Sequence, residues 1–582
     1  MGLAGNLKRL LTCVLILGSG AFAAQPNVLL ILTDDQGYGD FGFTGNKQIE
    51  TPNLDKLAAK SARFERFYVT PFCAPTRAAL LTGRYGLEGG VHGVARGEET
   101  LRTEETTIAE ILRKAGYRTS IFGKWHNGEN YPYTPNGQGF ENALGFNLGH
   151  WNNYFDPKLR HNAEWVKKEG WISDVLTEAA LEFIEQNKAQ PWFCYLAYNA
   201  PHSPFQCPER EFQKYKAKGL DDTTACVYGM CENLDTNIGF VLKKLDEWQL
   251  AENTIVLFLT DNGPATERFT SGLRGKKGSL YEGGSRTPLL VRWPARFKEP
   301  RVVPTLAAAI DILPTLCELT GVKPKTNFPL DGRSLVPLLE GKTDAWMERE
   351  IFIQNRARTD LQRTQGTVVT QRFSAVNSGR GWELYDLQKD PGQQADLAKN
   401  ADSRMIVDDL SAKFERWWSV ASAGVTHDRP PIPVGHRPEP IVEASAAQAE
   451  LTGSLKYSNG APNNAWITGW DGLEARATWT IDCVAPGKYE AGIAFTREHA
   501  EPATKIRAES GGAAIEAAVP QIPAHQLPMP DRVARKEAPD MEWQALPIGE
   551  LNLVKGEQTI TLRLTAPDAS FALKHLTLRQ IH

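Results

Sequence analysis

The sequence predicts an α/β protein: a mostly parallel sheet flanked by helices, then a smaller C-terminal α+β subdomain and an appended β-sandwich. Three observations predict it. Apolar runs of strand length alternate with helical segments up to about residue 300. Residues 350–425 change to strand-like pieces ending in a helix. Beyond a proline-dense stretch, short alternating strands follow one another with Gly and Asp turns.

The elements follow in order. "NVLLILT" (27–33) is a continuous apolar run, as a strand buried on both faces requires. "TPNLDKLAAKSARF" (51–64) opens with a Thr cap and a first-turn Pro, which predicts a helix. "CAPTRAALLTG" (73–83) reads as a short helix with Pro75 in its first turn and Gly83 as its stop. "TTIAEILRKAG" (106–116) is helical in spacing, and "YRTSIFG" (117–123) returns as a strand. A helix near 173–187 precedes the strand in "PWFCYLAYNA" (191–200). A long amphipathic helix (225–248) precedes the strand "NTIVLFLT" (253–260). The main α/β part is therefore placed at 25–345 and the smaller subdomain at 346–425, together one unit over 25–425. Proline density around 426–440 reads as a linker, and 441–582 as the sandwich, with strands such as "ARATWTIDCV" and "FALKHLTLRQI". Trp466, Trp470 and Trp543 are candidate sugar platforms there, though core or interface packing is the commoner use of such residues.

A chain of 582 residues has room for several domains, and its net charge of -4 offers no basic face for nucleic acid. No internal apolar stretch is long enough to span a bilayer. The first residues do carry a message. Lys8 and Arg9, an apolar run and the triplet Ala21-Phe22-Ala23 read as a signal peptide over 1–24, cleaved near Ala23 or Ala24. An exported protein, periplasmic or secreted, is expected. Cys13 leaves with that leader, and Cys194, Cys207, Cys226, Cys231, Cys317 and Cys483 are either disulfide-bonded or buried thiols.

Chemistry-bearing residues follow the apolar strands. Asp34 and Asp35 follow the first, Asp261 and Asn262 the last, Lys124 and His126 the strand at 117–123, and His202 the strand at 191–200. In an open parallel sheet the C-terminal strand ends share one edge, where ligands bind. Any one of these residues alone reads equally well as a turn, a cap or a packed imidazole. Four strand ends in one unit point to a site. Asp34, Asp35, Asp261 and Asn262 offer only oxygen, which suits Ca²⁺ or Mg²⁺ rather than Zn²⁺. Cys73 lies at a helix N-terminus, where the dipole favours an anion, with Arg77 one turn further on. A thiolate matches a hard cation poorly, so a more oxygen-like group is expected at position 73.

"CAPTRAALLTGR" resembles the C-x-P-x-R signature of type I sulfatases, whose cysteine is converted to Cα-formylglycine. "LTDDQGYGD", "TPNLDKLA", "GYRTSIFGKWHNG", "YNAPHSP", "FLTDNG" and "LRGKKGSLYEGGSRTPLLVRWP" match family segments in family order, over roughly 27–400. Two positions depart: Thr76 stands where Ser is usual, and Asn127 replaces a common Leu, a change expected to alter a pocket wall. The resemblance implies an alkaline-phosphatase-like fold and one Ca²⁺, held by Asp34, Asp35, Asp261, Asn262 and the modified Cys73. It implies that a hydrated aldehyde attacks sulfur while Arg77, Lys124 and Lys277 hold the sulfate. His202, with Lys277, would protonate the leaving alcohol, and His126 would take the proton that regenerates the aldehyde. Lys277 is chosen over Lys276 because the family lysine precedes the aromatic of "YEGG" by four residues. The implied substrate is a sulfated saccharide or aryl sulfate, as for an exported polysaccharide sulfatase, and the implied partner is a formylglycine-generating maturation enzyme. Oligomeric state is not indicated. The rivals are a phosphomonoesterase or phosphodiesterase of the same superfamily, and a non-catalytic carbohydrate-binding protein. The first normally calls for a Ser or Thr nucleophile and His-rich two-zinc ligation, neither of which is visible. The intact set from Cys73 to Lys277 argues against the second.

Overall fold

The computed structural model of the chain describes residues 25–355, 365–425, 429–460, 464–500 and 503–581; the expected signal peptide lies outside them. The apolar run at the start forms β1 (Asn27–Thr33), every residue of it buried. In chain order there follow α1 (Pro52–Ala59), β2 (Ala62–Tyr68), α2 (Cys73–Thr82), α3 (Ile108–Lys114), β3 (Arg118–Lys124) and β4 (Asn142–Phe146). Then come β5 (Lys158–His161), β6 (Glu164–Lys167), α4 (Ile172–Gln186), β7 (Trp192–Ala197), α5 (Glu209–Ala217) and α6 (Asp222–Glu247). β8 (Thr254–Thr260), β9 (Arg286–Arg292) and β10 (Arg301–Val303) complete the main path of the sheet.

The strand order is β10-β2-β9-β8-β1-β7-β3-β4-β5-β6. Its centre, β8-β1-β7-β3-β4, is parallel throughout. The flanks are antiparallel: β9 pairs β8, β2 pairs β9, and β5 and β6 form a hairpin beside β4. The central strands are apolar on both faces because helices cover both. Leu54 of α1, Leu176 of α4 and Ile238 of α6 pack on one side, and Leu80 of α2 and Leu112 of α3 on the other.

The helix expected over 51–64 stops at Ala59, and residues 62–64 belong to β2. Ala62 and Phe64 pair with Val291 and Leu289 of β9 and are buried, so sheet pairing overrides a local helical preference. α6 starts three residues earlier than expected, because the Asp221 side chain caps it by accepting from the Thr224 N–H at 3.0 Å.

A four-stranded antiparallel sheet (Ile351–Gln354, Gln365–Val369, Phe373–Ser378, Trp382–Asp386) follows. The helix Arg404–Ala421 lies on it through Leu410, Phe414 and Trp418. The remaining chain forms two six-stranded sheets around a core that includes Trp470, Trp479, Phe495 and Phe571. The proline-dense stretch is not a free linker. Ile432–Val434 is an edge strand pairing with Ile481–Cys483, a position where the missing N–H of Pro433 is tolerated. Trp470 is a core residue, whereas Trp466 and Trp543 pack edge to face at 5.4 Å. The cysteines from Cys73 to Cys483 are buried thiols, unbridged among the described residues. No helix of the described residues is long and apolar enough to cross a membrane.

Candidate active site

Register brings the strand-end residues together. Thr33 lies beside Thr260, and Ala197 is level with both Leu32 and Gly123, so β8, β1, β7 and β3 end side by side. Asp261 and Asn262, Asp34 and Asp35, His202, and Lys124 and His126 therefore emerge on one edge. Cys73 and Arg77 arrive from α2, and Lys277 from the loop before β9. Two of these residues hold left-handed backbone, Asp35 at φ 63° and His126 at φ 62°, a conformation that costs non-glycine residues roughly 1–3 kcal/mol each. Gly263 lets the loop after β8 sit close to its neighbour: a Cβ there would lie 1.9 Å from the Gly283 carbonyl oxygen.

The charges interlock. Lys124 Nζ is 2.5 Å from Asp34 Oδ2. Arg77 donates to Asp261 Oδ2 from Nε at 3.1 Å and Nη2 at 2.9 Å, while its Nη1 donates to the Lys124 carbonyl at 2.7 Å. Asp261 Oδ1 accepts from the Asp35 N–H at 3.2 Å. Asp35 Oδ1 takes the Asn262 amide at 2.7 Å and Lys277 Nζ at 2.6 Å. Lys276 turns away to the exposed Glu267 at 2.6 Å. Burial opposes ionisation of Asp34, but Lys124, His202 and Arg77 outweigh it and hold the carboxyl well below the usual range. Asp35 is likewise held low, burial being outweighed by Lys277 and His202. Burial and the charge of Asp34 push Asp261 well above its ordinary value despite Arg77.

The oxygen set fits a hard cation. Asp34 Oδ1 and Asn262 Oδ1 are buried and have no hydrogen-bond partner, which is costly unless something else binds them. Donor atoms of Asp34, Cys73 and Asp261 lie within 4.8 Å of one another, as do those of Asp34, Asp35 and His202. Two donor groups that share Asp34, with the unpartnered Asn262 oxygen beside Asp261 in sequence, form an oxygen-rich set that suits Ca²⁺. The Cys73 sulfur suits it only after conversion to an oxygen-bearing group.

Cys73 is the first residue of α2, a helix buried along its whole length and capped by no side chain. The Thr76 hydroxyl sits 2.7 Å from that of Thr70 and accepts from the Thr70 N–H at 3.0 Å, clamping the preceding loop. A serine hydroxyl would serve the same purpose. Asn127 is fully buried and donates to the Ala74 carbonyl at 3.1 Å, tying the first turn of α2 to the loop after β3, while its Oδ1 has no hydrogen-bond partner.

Both histidines have their tautomer set by a carbonyl. His126 Nε2 bonds Val94 O at 2.8 Å and must carry the hydrogen, leaving a buried lone pair on Nδ1 without a partner. Burial, then Lys124, holds its pKa well below the ordinary value. His202 bonds Ser203 O through Nδ1 at 2.7 Å and turns Nε2 towards Asp35 Oδ2 at 3.8 Å. Two residues of this region escaped sequence reasoning. The His150 ring lies 5.7 Å from that of His202. It too follows a strand, but β4 is short and contains Gly145, so it leaves no apolar run to read. Glu537 belongs to the C-terminal part and accepts from Ser203 Oγ at 2.5 Å. No local signal marks it.

Comparison with known proteins adds independent findings. The family model "Sulfatase" matches residues 26–322, and "N-sulphoglucosamine sulphohydrolase, C-terminal" matches 275–419. The N-acetylgalactosamine-6-sulfatase of Mus musculus is 32% identical over 431 residues, covering 67% of this chain and 80% of its own. Arylsulfatase A of Homo sapiens is 32% identical over 453 residues, covering 66% and 86%. The crystal structure of Ps i-CgsB in complex with k-i-k-neocarrahexaose superposes with a TM-score of 0.64 at 30% identity, covering 69% of this chain and 95% of that one.

Proposed function

We propose, for a chain that belongs to the sulfatase family and hydrolyses sulfuric esters, that the ester it cleaves is carried by a saccharide and that Cys73 is the site of attack. The observation that carries this reading is the pair of unpartnered oxygens, Asp34 Oδ1 and Asn262 Oδ1, inside a ring of Arg77, Lys124 and Lys277. Ca²⁺ on Asp34, Asp35, Asp261 and Asn262, with Cys73 converted to Cα-formylglycine, would supply positive charge for the sulfate and a hydrated carbonyl as nucleophile. Arg77 and Lys124, both fully buried, and the part-buried Lys277 offset the charge that develops on the sulfate oxygens. His202 turns Nε2 towards the leaving alcohol, its Nδ1–H fixed by the Ser203 carbonyl, and would donate from Nε2 when the ring is doubly protonated. His126 accepts a proton at Nδ1, because its other nitrogen is committed to Val94.

The saccharide reading draws on the names of the relatives, an N-acetylgalactosamine-6-sulfatase and a protein crystallised with k-i-k-neocarrahexaose. A small aryl sulfate serves as a surrogate. The leader-like residues 1–24 support action outside the cytoplasm, after maturation by a formylglycine-generating enzyme. Matched sulfate and phosphate esters, assayed with and without chelator, test the proposal, together with peptide mass spectrometry over residues 71–77. Sulfate release that chelator abolishes and Ca²⁺ restores is expected, with an aldehyde at position 73. A phosphate preference, or an unmodified cysteine in fully active protein, overturns it.

A further inference from the structure

Between the sulfatase part and the C-terminal sandwich lies a cavity of about 550 Å³. That volume is in the range of ligand pockets and suits one or two sugar rings. One wall carries Trp151 and Trp165, the other Trp543 and Lys574. Its aromatic surface is built rigidly. Trp151 stacks between Phe146, at 5.2 Å, and Trp165, at 5.9 Å, and the Trp165 indole N–H donates to Glu443 Oε1 at 3.0 Å. Trp543 is braced edge to face by Trp466, and Lys574 Nζ, 6.0 Å from the Trp543 ring, donates to the Asn464 carbonyl at 2.9 Å. Phe146 and Trp165 take the faces of Trp151, and Lys158 and Arg160 lie 5.3 and 5.1 Å from the Trp165 ring centre. A sugar ring would therefore meet apolar ring edges and Trp543 amid hydrogen-bonding groups.

A chain of side-chain contacts links His202 to the cavity. His150, whose ring faces that of His202, bonds Asn152 Oδ1 through Nε2 at 3.1 Å. Asn152 lines the cavity and accepts from Asn464 Nδ2 of the sandwich at 2.9 Å. In a sulfated saccharide the leaving alcohol is the sugar itself. The rest of the chain must therefore continue past His202, and the cavity is one His–Asn step beyond it. Its charge also selects. Burial and the charge of Glu99 push the Glu129 carboxyl up to about 8. That leaves Glu443, Asp540 and Glu542 against the cations Lys158 and Lys574, a slight acidic balance that opposes a second sulfate group.

We propose that this interdomain cavity is a subsite for an unsulfated sugar ring linked to the sulfated one, built jointly by the sulfatase part and the sandwich. The subsite rests on the saccharide reading above, and one experiment separates the two. The mature, formylglycine-bearing enzyme is assayed on a small aryl sulfate and on sulfated galactan and glycosaminoglycan fragments, each as the monosaccharide and as di- and tetrasaccharides. Wild type is expected to favour the longer fragments in kcat/KM. In Trp543→Ala and Trp165→Ala the ratio of longer to shortest substrate should fall by about 10- to 100-fold, the size expected when an aromatic anchor is truncated. Glu542 is exposed, so Glu542→Lys tests the charge argument without disturbing packing. It should raise the relative rate on disaccharides with a second sulfate on the neighbouring ring. Equal ratios in wild type and both tryptophan variants overturn the subsite while leaving saccharide hydrolysis intact. Turnover of the aryl sulfate but of no saccharide overturns the saccharide reading, and the subsite with it.

Discussion

Ser203 donates its hydroxyl to Glu537 at 2.5 Å, so the residue next to His202 is anchored by a carboxylate 334 positions away in the C-terminal part. Burial opposes the charge on Glu537, and His150, Ser203 and His202 together hold its carboxyl below the ordinary value. The bond is short and charge-assisted, a class that contributes about 1.5–3 kcal/mol. If it positions the ring of His202, Glu537→Ala should lower kcat/KM on an aryl sulfate by about tenfold, and Ser203→Ala by a similar factor. The double variant should be little worse than either single one, because both remove the same bond. A double-mutant cycle on kcat/KM checks this, and additive losses would deny the two residues a joint role.

Arg77 has two separate tasks, the fork on Asp261 and the Nη1 bond to the Lys124 carbonyl. A lysine cannot perform both from one nitrogen. Arg77→Lys should therefore reduce kcat by roughly 10²–10³, the cost of removing one fixed donor from a buried charge-stabilising set. KM should change far less. Steady-state kinetics on an aryl sulfate give the split, and a loss confined to KM would mean that Arg77 binds the ground state and the transition state equally.

Metal removal should appear in stability before any assay of turnover. A cation bound only by the folded state adds RT ln(1 + [L]/Kd), about 2.7 kcal/mol at a hundredfold excess over Kd. Chelator should lower the melting temperature of the sulfatase part by a few degrees, and Ca²⁺ should restore it. Asn262→Ala and Asp34→Asn take oxygen or charge from the set and should abolish that Ca²⁺-dependent shift. Scanning calorimetry with and without Ca²⁺ reads it directly. A melting temperature indifferent to calcium would argue for a site that needs no ion.

Why was so much of this crevice legible? Asp34, Asp261 and His202 each follow a strand that is apolar on both faces, and such strands announce themselves as unbroken runs, while Lys124 closes the more polar but buried β3. Once those runs are parallel neighbours, their ends must coincide. Lys277 rather than Lys276 was legible only through family spacing, since both sit in an irregular loop. The antiparallel flanks were less visible. β2 hid at the tail of a helical pattern, and β5 and β6 are four-residue strands with exposed ends. Glu537 had no period, cap or motif around it, and its place depends wholly on how the sandwich sits against the loop after β7. Contacts between distant irregular segments leave no local trace in sequence.

The sandwich carries its own buried ion pair, well away from the crevice. Arg497 Nε contacts Asp568 Oδ2, with the two side chains 2% and 3% exposed. Arg497 Nη1 also donates to the Val519 carbonyl at 2.7 Å. Burial works against the charge on Asp568, but Ser570 and Arg497 outweigh it and hold the carboxyl below its ordinary value. A carboxyl depressed on folding adds stability that is fully present above its unfolded pKa, about 4, and is lost as pH falls through the folded value. Arg497→Met leaves that carboxylate buried and unpaired, which should cost about 3–5 kcal/mol at pH 7. Below about pH 4 the carboxyl of the variant can take up a proton, so the gap between variant and wild type should narrow. Urea unfolding of the full chain at pH 7 and pH 3.5, followed by tryptophan fluorescence, measures that gap. A difference unchanged between the two pH values would assign the stabilisation to the packing of the arginine stem and its carbonyl bonds, not to the charge it shares with Asp568.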